Sequence, residues 1–375
     1  MDRILAGLCV WLTLGVPAFA DNHVTSVRPV IGEEISLPIQ GWYMNVTKER
    51  ADQLILQARE DNNRIEKAIG YYVDGIGPRF ILRVVDQPSR MLGLNPNWAS
   101  WRVRLDLTHD QMRGFYQDLV IERFYSGMVD SYYTPEGIRY AFRFRRFQDN
   151  VDQGVGWLPG AYRIGRPPVM DLAVPASLWR DHLQRRARDG YFPDSITSAF
   201  NEYGEVEFSA TFGPPGQNII RQASFQQAGP DSLAAEMRAR RSGLQGLRLD
   251  MLPARRGDTV RYSSVWHDEQ GHFWDSGHGA RQSNRASPRH LMRNIPRREL
   301  AARLGQIQEL GRYVYDANAV QRYHGGGSGN DVVFALVISG TEPLPPLPPG
   351  PEAAFVRLRS PRIAMSAQPA SALDF

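Results

Sequence analysis

Lysine and cysteine are nearly missing from this chain. Of 44 basic residues only Lys48 and Lys67 are lysines, and neither has the neighbours that lysine chemistry requires. Thr47-Lys48-Glu49-Arg50 is no phosphate-binding loop, and Ile65-Glu66-Lys67-Ala68-Ile69 is no Ser-x-x-Lys nucleophile site. The one cysteine, Cys9, leaves the rest of the chain without thiols. Disulfide frameworks, thiolate catalysis and Cys-ligated metals are therefore excluded there. An excess of one charge is also lacking, since 44 Lys+Arg against 40 Asp+Glu leaves only +4. That is not the footprint of a nucleic-acid binder. What is present is ample apolar material, 42% hydrophobic with 22% charged residues, which excludes collagen, coiled coil and wholesale disorder.

Long hydrophobic runs are confined to the start. Arg3, the apolar run Ile4 to Val16 and the small-x-small ending Ala18-Phe19-Ala20 predict a secretory signal peptide over residues 1–20. The run is too short to span a bilayer, which needs about 20 apolar residues. Leu8 before Cys9 is not the small residue that a lipid-attachment site requires. The expected product is periplasmic or secreted, with no transmembrane segment after cleavage.

The body repeats itself. Five segments align without gaps, beginning at Pro78, Ile138, Val206, Val260 and Val332. Their third positions are Phe80, Tyr140, Phe208, Tyr262 and Phe334, and their seventh positions are large and apolar. Apolar residues at positions three, five and seven have the period of a half-buried strand. A glycine-containing turn precedes each, and another short apolar stretch precedes each turn, so each copy predicts an antiparallel β-hairpin. Ahead of the hairpins, Ala51, Leu54, Ile55 and Ala58, and then Met112, Phe115, Tyr116 and Leu119, have helical spacing. Leu300, Leu304 and Ile307 mark a weaker copy. Thr108-His109-Asp110-Gln111 is a capping box, while Ser177 and Asp231 follow prolines at expected first turns. Extended pieces such as Trp101 to Leu105 and Val169 to Leu172 lie upstream. The aromatic positions are spaced by 60, 68, 54 and 72 residues, so the length varies in the connections.

The expected fold class is α+β: five tandem units of helix plus antiparallel hairpin over residues 47–340, in a solenoid-like or half-barrel array. A lead-in strand would occupy residues 21–46. Glu342 to Pro351 reads as a polyproline spacer, and residues 341–375 as a spacer and tail.

Gly190-Tyr191-Phe192-Pro193, with Arg139-Tyr140-Ala141 and Arg261-Tyr262-Ser263-Ser264-Val265-Trp266, resembles a bacterial tandem repeat also found in the N-terminal domain of polyglycine hydrolases. The resemblance covers residues 47 to about 340. The other units depart from its Gly-aromatic-x-Pro entry. In that family proteolysis belongs to a separate serine β-lactamase-like domain with a Ser-x-x-Lys nucleophile, which the two lysines here cannot supply. The resemblance thus implies the accessory module without its enzyme.

The densest polar constellation runs from Trp266 to His278. It gathers His267, His272 and His278 with Asp268, Glu269 and Asp275, and with the aromatics Trp266, Phe273 and Trp274. Imidazole beside carboxylate is what a water-activating site uses, but the spacing is not His-Glu-x-x-His, and a polar hairpin tip accounts for the same residues. Trp266, His267, His272, Trp274, Asp275 and His278 are the candidate binding residues, with no metal and no cofactor expected. His324-Gly325-Gly326-Gly327 resembles an oxyanion loop, yet no Gly-x-Ser-x-Gly elbow follows it. Arginine pairs such as Arg145-Arg146, Arg185-Arg186, Arg240-Arg241 and Arg297-Arg298 are interspersed with acids and read as solvated faces.

The function expected is a non-catalytic extracytoplasmic module that binds a protein, peptide or polysaccharide and no nucleic acid. The alternative is a hydrolase of peptide or cell-wall material that uses loop 267–278.

Overall fold

The computed structural model describes residues 34–61, 63–86, 99–121, 125–147, 169–213, 221–228, 246–252, 260–267, 289–321, 332–340 and 343–347. They form a mixed α+β protein of antiparallel sheets and four helices. The sheets hold β1 (Ile35–Leu37), β2 (Trp42–Val46), β3 (Asn63–Val73), β4 (Gly77–Asp86), β5 (Ala99–Leu107), β6 (Tyr125–Thr134), β7 (Gly137–Phe147) and β8 (Val169–Pro175). They continue with β9 (Phe192–Phe200), β10 (Val206–Gly213), β11 (Arg221–Ala228), β12 (Gly246–Leu252), β13 (Arg261–His267), β14 (Arg289–Pro296), β15 (Val314–Gln321) and β16 (Val332–Ser339). The helices are α1 (Lys48–Glu60), α2 (His109–Ile121), α3 (Ala176–Arg188) and α4 (Arg297–Glu309).

One strand order recurs in all five sheets. The second hairpin strand lies in the middle, flanked by the first hairpin strand and by a strand from earlier in the chain: β2-β4-β3, β5-β7-β6, β8-β10-β9, β11-β13-β12 and β14-β16-β15. In the first sheet β1 adds itself to β2, so the lead-in segment ends in two strands and not one.

That earlier strand, β2, β5, β8, β11 or β14, carries an irregularity near its end. The pairing register shifts between Tyr43 and Val46, between Arg104 and Leu107, opposite Phe208 and Ala210, between Ser224 and Ala228, and between Met292 and Ile295. Asn45, Asp106, Ala173 and Asn294 there have φ near +55 to +60°. Asparagine and aspartate accept this left-handed conformation more readily than other non-glycine residues. In β2, β5, β8 and β14 such a bulge bends the strand into the helix that follows.

The helices form as their spacing predicts. Thr108 Oγ1 accepts from Gln111 N and Gln111 Oε1 accepts from Thr108 N, a complete capping box at α2. On α1 the residues Ala51, Leu54, Ile55 and Ala58 are buried, and on α4 so are Leu300, Leu304 and Ile307. Asp231 lies outside the described residues.

The five repeated aromatics are all buried, and each belongs to a different apolar cluster: Phe334 in the first, Phe80 in the second, Tyr262 in the third, Tyr140 in the fourth and Phe208 in the fifth. Removing an aromatic of this size from water is worth about 1.5–3 kcal/mol. These residues are core anchors and present no stacking platform to a ligand.

The first hairpin strands pack side by side. β3 lies against β6, β6 against β9, β9 against β12, β12 against β15, and β15 returns to β3. An open row would keep its first and last sheets apart, whereas here they make this return. Its physical reason is a shared core, in which Trp42, Met44 and Ile69 from the start of the chain join Leu300, Leu304 and Phe334 from its end. Among the described residues no single sheet closes into a barrel; the succession of sheets closes instead. The proline-rich segment is also docked at its beginning. Leu344 is buried in this core, and Arg303 Nη1 donates to Pro345 O at 2.8 Å.

Candidate functional site at the meeting of the inner strands

Each inner strand is an edge strand of its own sheet, and an edge exposes backbone N–H groups that must find partners once buried. Here side-chain oxygens of the next strand meet them. Gly70 N donates to Asp130 Oδ2 at 2.7 Å, Val129 N to Ser195 Oγ at 3.0 Å, and Ser131 N to Thr197 Oγ1 at 2.9 Å. Glycine is required at position 70, because a Cβ there would lie 2.1 Å from the ring of Tyr132. The chain of contacts continues to β12, where Asp250 takes Ser198 Oγ at 2.8 Å on Oδ2 and lies 3.2 Å from Thr197 Oγ1 through Oδ1. Lys67 on β3 pairs with Asp316 on β15.

The strand register explains the convergence. Asp130, Thr197, Asp250 and Asn318 stand opposite Ala141, Ser209, Ser263 and Ala335, the small residue after each aromatic. Lys67, Ser195 and Asp316 come two residues earlier on the same face, opposite Arg83, Thr211 and Val337. Equivalent positions thus deliver polar groups to one axis.

The axis is dry. Asp130 and Asp250 are each 5% exposed and Thr197 is 1% exposed. Burial, reinforced by the charge of Asp250, raises the Asp130 carboxyl well above the usual range. Burial also raises Asp250 to about 7, opposed by the hydrogen bonds from Ser198 and Thr197 and by the charge of Lys67. Chemically the cluster can hold protons and fix strands.

Both lysines are now accounted for, Lys67 by Asp316 and Lys48 by Asp52 at 2.7 Å one turn along α1. A second polar cluster lies on the third sheet. Asp171 accepts from Arg186 Nε and Nη2 at 2.8 and 2.6 Å and meets His182 Nε2 at 2.7 Å. Arg186 is therefore ion-paired and not simply solvated. His182 in turn stacks on Trp179, which stacks on Phe208.

Of the residues singled out from sequence, Trp266 and His267 close β13. Trp266 pairs with Gln222 and Leu247, and His267 with Arg221 and Gly246. His272, Trp274, Asp275 and His278 lie outside the described residues, as do residues 1–20 and the loop at His324. Among the described residues no group of three or more His, Cys, Asp or Glu side chains is placed to hold a metal ion. No described helix is long and apolar enough to cross a membrane.

Sequence reasoning missed Lys67, Asp130, Thr197, Asp250 and Asp316. The available signal was a polar residue interrupting an apolar strand at a fixed register from the repeated aromatic. In comparisons with known proteins, no family model matches the chain and no curated protein matches it.

Proposed function

We propose that the protein is an extracytoplasmic, non-catalytic binding module made of five tandem helix-plus-hairpin units, similar in kind to the repeat domain that precedes the catalytic domain of polyglycine hydrolases. The observation that carries this reading is the recurrence of one strand order in five sheets, each with its own buried aromatic. The side chains at the axis bond one another, so the inner strands serve the scaffold. Binding then falls to the connections, which differ in length between copies; residues 148–168, for instance, separate β7 from β8. The partner is a protein, peptide or polysaccharide outside the cytoplasm, delivered there by the signal sequence.

The test is cosedimentation of the protein with insoluble peptidoglycan and retention on an immobilised peptide array, with soluble products followed in the same samples. Retention without product is expected. It should persist when His267, His272 and Asp275 are changed to alanine, and fall at least tenfold when residues 148–168 are replaced by a short Gly-Ser linker. Product release that disappears in the triple alanine variant would overturn the proposal in favour of a hydrolase acting through loop 267–278. No retention on either matrix would overturn it as well.

A further inference from the structure

We infer that Asp130, Thr197 and Asp250 form a proton-binding site, in which one proton on Asp130 is donated to Thr197 Oγ1 while Thr197 donates its own to Asp250. The inference comes from counting hydrogens and is independent of what the module binds.

Thr197 Oγ1 has one proton and two lone pairs. It lies 3.4 Å from Asp130 Oδ1 and 3.2 Å from Asp250 Oδ1, Ser131 N donates to one of its lone pairs at 2.9 Å, and Ser131 Oγ is 3.2 Å away with either hydroxyl able to donate. With both aspartates ionised, its single hydrogen satisfies one carboxylate, and the other would face a lone pair in a buried interface. One added proton resolves the conflict. Thr197 then accepts from Ser131 N and from the Asp130 carboxyl and donates to Asp250, so a hydrogen lies between its oxygen and each carboxyl, and Ser131 Oγ is left outside this set of bonds.

The remaining contacts place the proton on Asp130. Asp250 is the better carboxylate, since it has hydrogen bonds from Ser198 Oγ and the Met251 backbone besides Thr197. Among the described residues, Asp130 has the Gly70 amide alone on its other oxygen. The charged groups that face the cluster are Lys67 from β3 and its partner Asp316 from β15, and the Lys67 charge opposes the rise of both carboxyls without cancelling the effect of burial. β6 contributes Asp130, β12 contributes Asp250, and β9 presents the hydroxyls of Ser195, Thr197 and Ser198. The upward shifts of both carboxyls agree with a retained proton.

The sign of the linkage follows. An aspartate that is protonated when folded and free to ionise when unfolded binds more protons in the native state between its unfolded pKa, about 3.9, and its folded one. Stability supplied by this site is therefore full at low pH and is lost as pH rises toward the folded value. Deprotonation releases the proton to solvent and leaves two like charges at the axis where β6, β9 and β12 meet.

The test uses the full chain and its Asp130→Asn variant, whose amide can donate to Thr197 while its carbonyl accepts from Gly70. The infrared C=O stretch of a protonated carboxyl should be present in the wild type at pH 7 and clearly weaker in the variant, which keeps only Asp250. In urea unfolding, the wild-type unfolding constant should rise at least tenfold more than the variant's between pH 5 and 8. Equal pH slopes, or no protonated carboxyl band in the wild type, would overturn the inference. If the variant does not fold, the infrared spectrum of wild-type protein carrying ¹³C-labelled aspartate decides alone.

Discussion

The seam between β6 and β9 and the seam between β15 and β3 do the same job with different chemistry. The first is neutral: Ser195 and Thr197 cap the amides of Val129 and Ser131, and Ser195 is held in turn by Thr211 Oγ1 at 2.8 Å. The second is charged and braced from outside. Lys67 pairs with Asp316, Arg83 lies over both Trp42 and Tyr313, and Trp42 Nε1 donates to Val314 O at 3.1 Å. Gln40 completes it by donating to Arg312 O at 2.9 Å and accepting from Val314 N at 2.7 Å. The neutral seam joins residues 66 apart, whereas the Lys67–Asp316 pair spans 249. Closing the longer loop costs about 1 kcal/mol more in chain entropy. That difference is small, so the charges at the second seam are not explained by cost. Their use is register, since an ion pair satisfied in one alignment only prevents the ends of the chain from meeting out of step.

The largest effect should come from breaking that pair. Lys67→Met leaves Asp316 buried without its cation and should cost about 3–5 kcal/mol in urea denaturation. The double variant Lys67→Met with Asp316→Leu should recover most of the loss, because an apolar pair of similar volume avoids desolvation altogether. If the double variant is as unstable as the single one, the pair is not what closes the seam.

The neutral seam should break more gently. Ser195→Ala removes the acceptor for Val129 N and should cost about 1–3 kcal/mol, the usual range for leaving one buried backbone group unsatisfied. Hydrogen exchange provides the sharper readout, since the Val129 amide should lose protection while amides at the β15–β3 seam keep theirs. Uniform loss of protection across both seams would show that they are not separable units.

What was legible in the sequence was whatever repeats along the chain. Helical spacing gave the buried stripes of α1 and α4, the capping box gave the start of α2, and the aligned aromatics gave five core anchors. The axis was not legible in the same way, because its members differ from copy to copy. Isoleucine, aspartate, threonine, aspartate and asparagine occupy equivalent places at 69, 130, 197, 250 and 318. They work by complementing one another across strands, so no single motif recurs. Lys67 illustrates the limit. Its surroundings exclude a nucleophile site, but its partner lies 249 residues away and only packing reveals it. The return of β15 to β3 is likewise a property of a core shared by both ends, and no local pattern encodes it.

The smallest predicted effect separates the third sheet, which supplies Ser195 and Thr197, from the sheets at the closing seam. Its bulge is the one formed around alanine: Ala173 sits at φ 54°, where the first, second and fifth sheets have Asn45, Asp106 and Asn294. A Cβ without a polar tip gains nothing there, whereas asparagine is the non-glycine residue best suited to this region. Ala173 N also donates to Ser209 Oγ at 3.0 Å, a bond that a change of side chain leaves in place. Ala173→Asn should therefore stabilise the protein by about 0.5–1 kcal/mol. Ala173→Gly should gain less, because the flexibility it adds to the unfolded chain offsets the relief of strain. Thermal melts of the two variants against wild type distinguish the contributions. A gain with asparagine but none with glycine assigns the effect to the residue's preference for the left-handed region. A loss with both would mean that the bulge of the third sheet is held by its side-chain packing, unlike its counterparts.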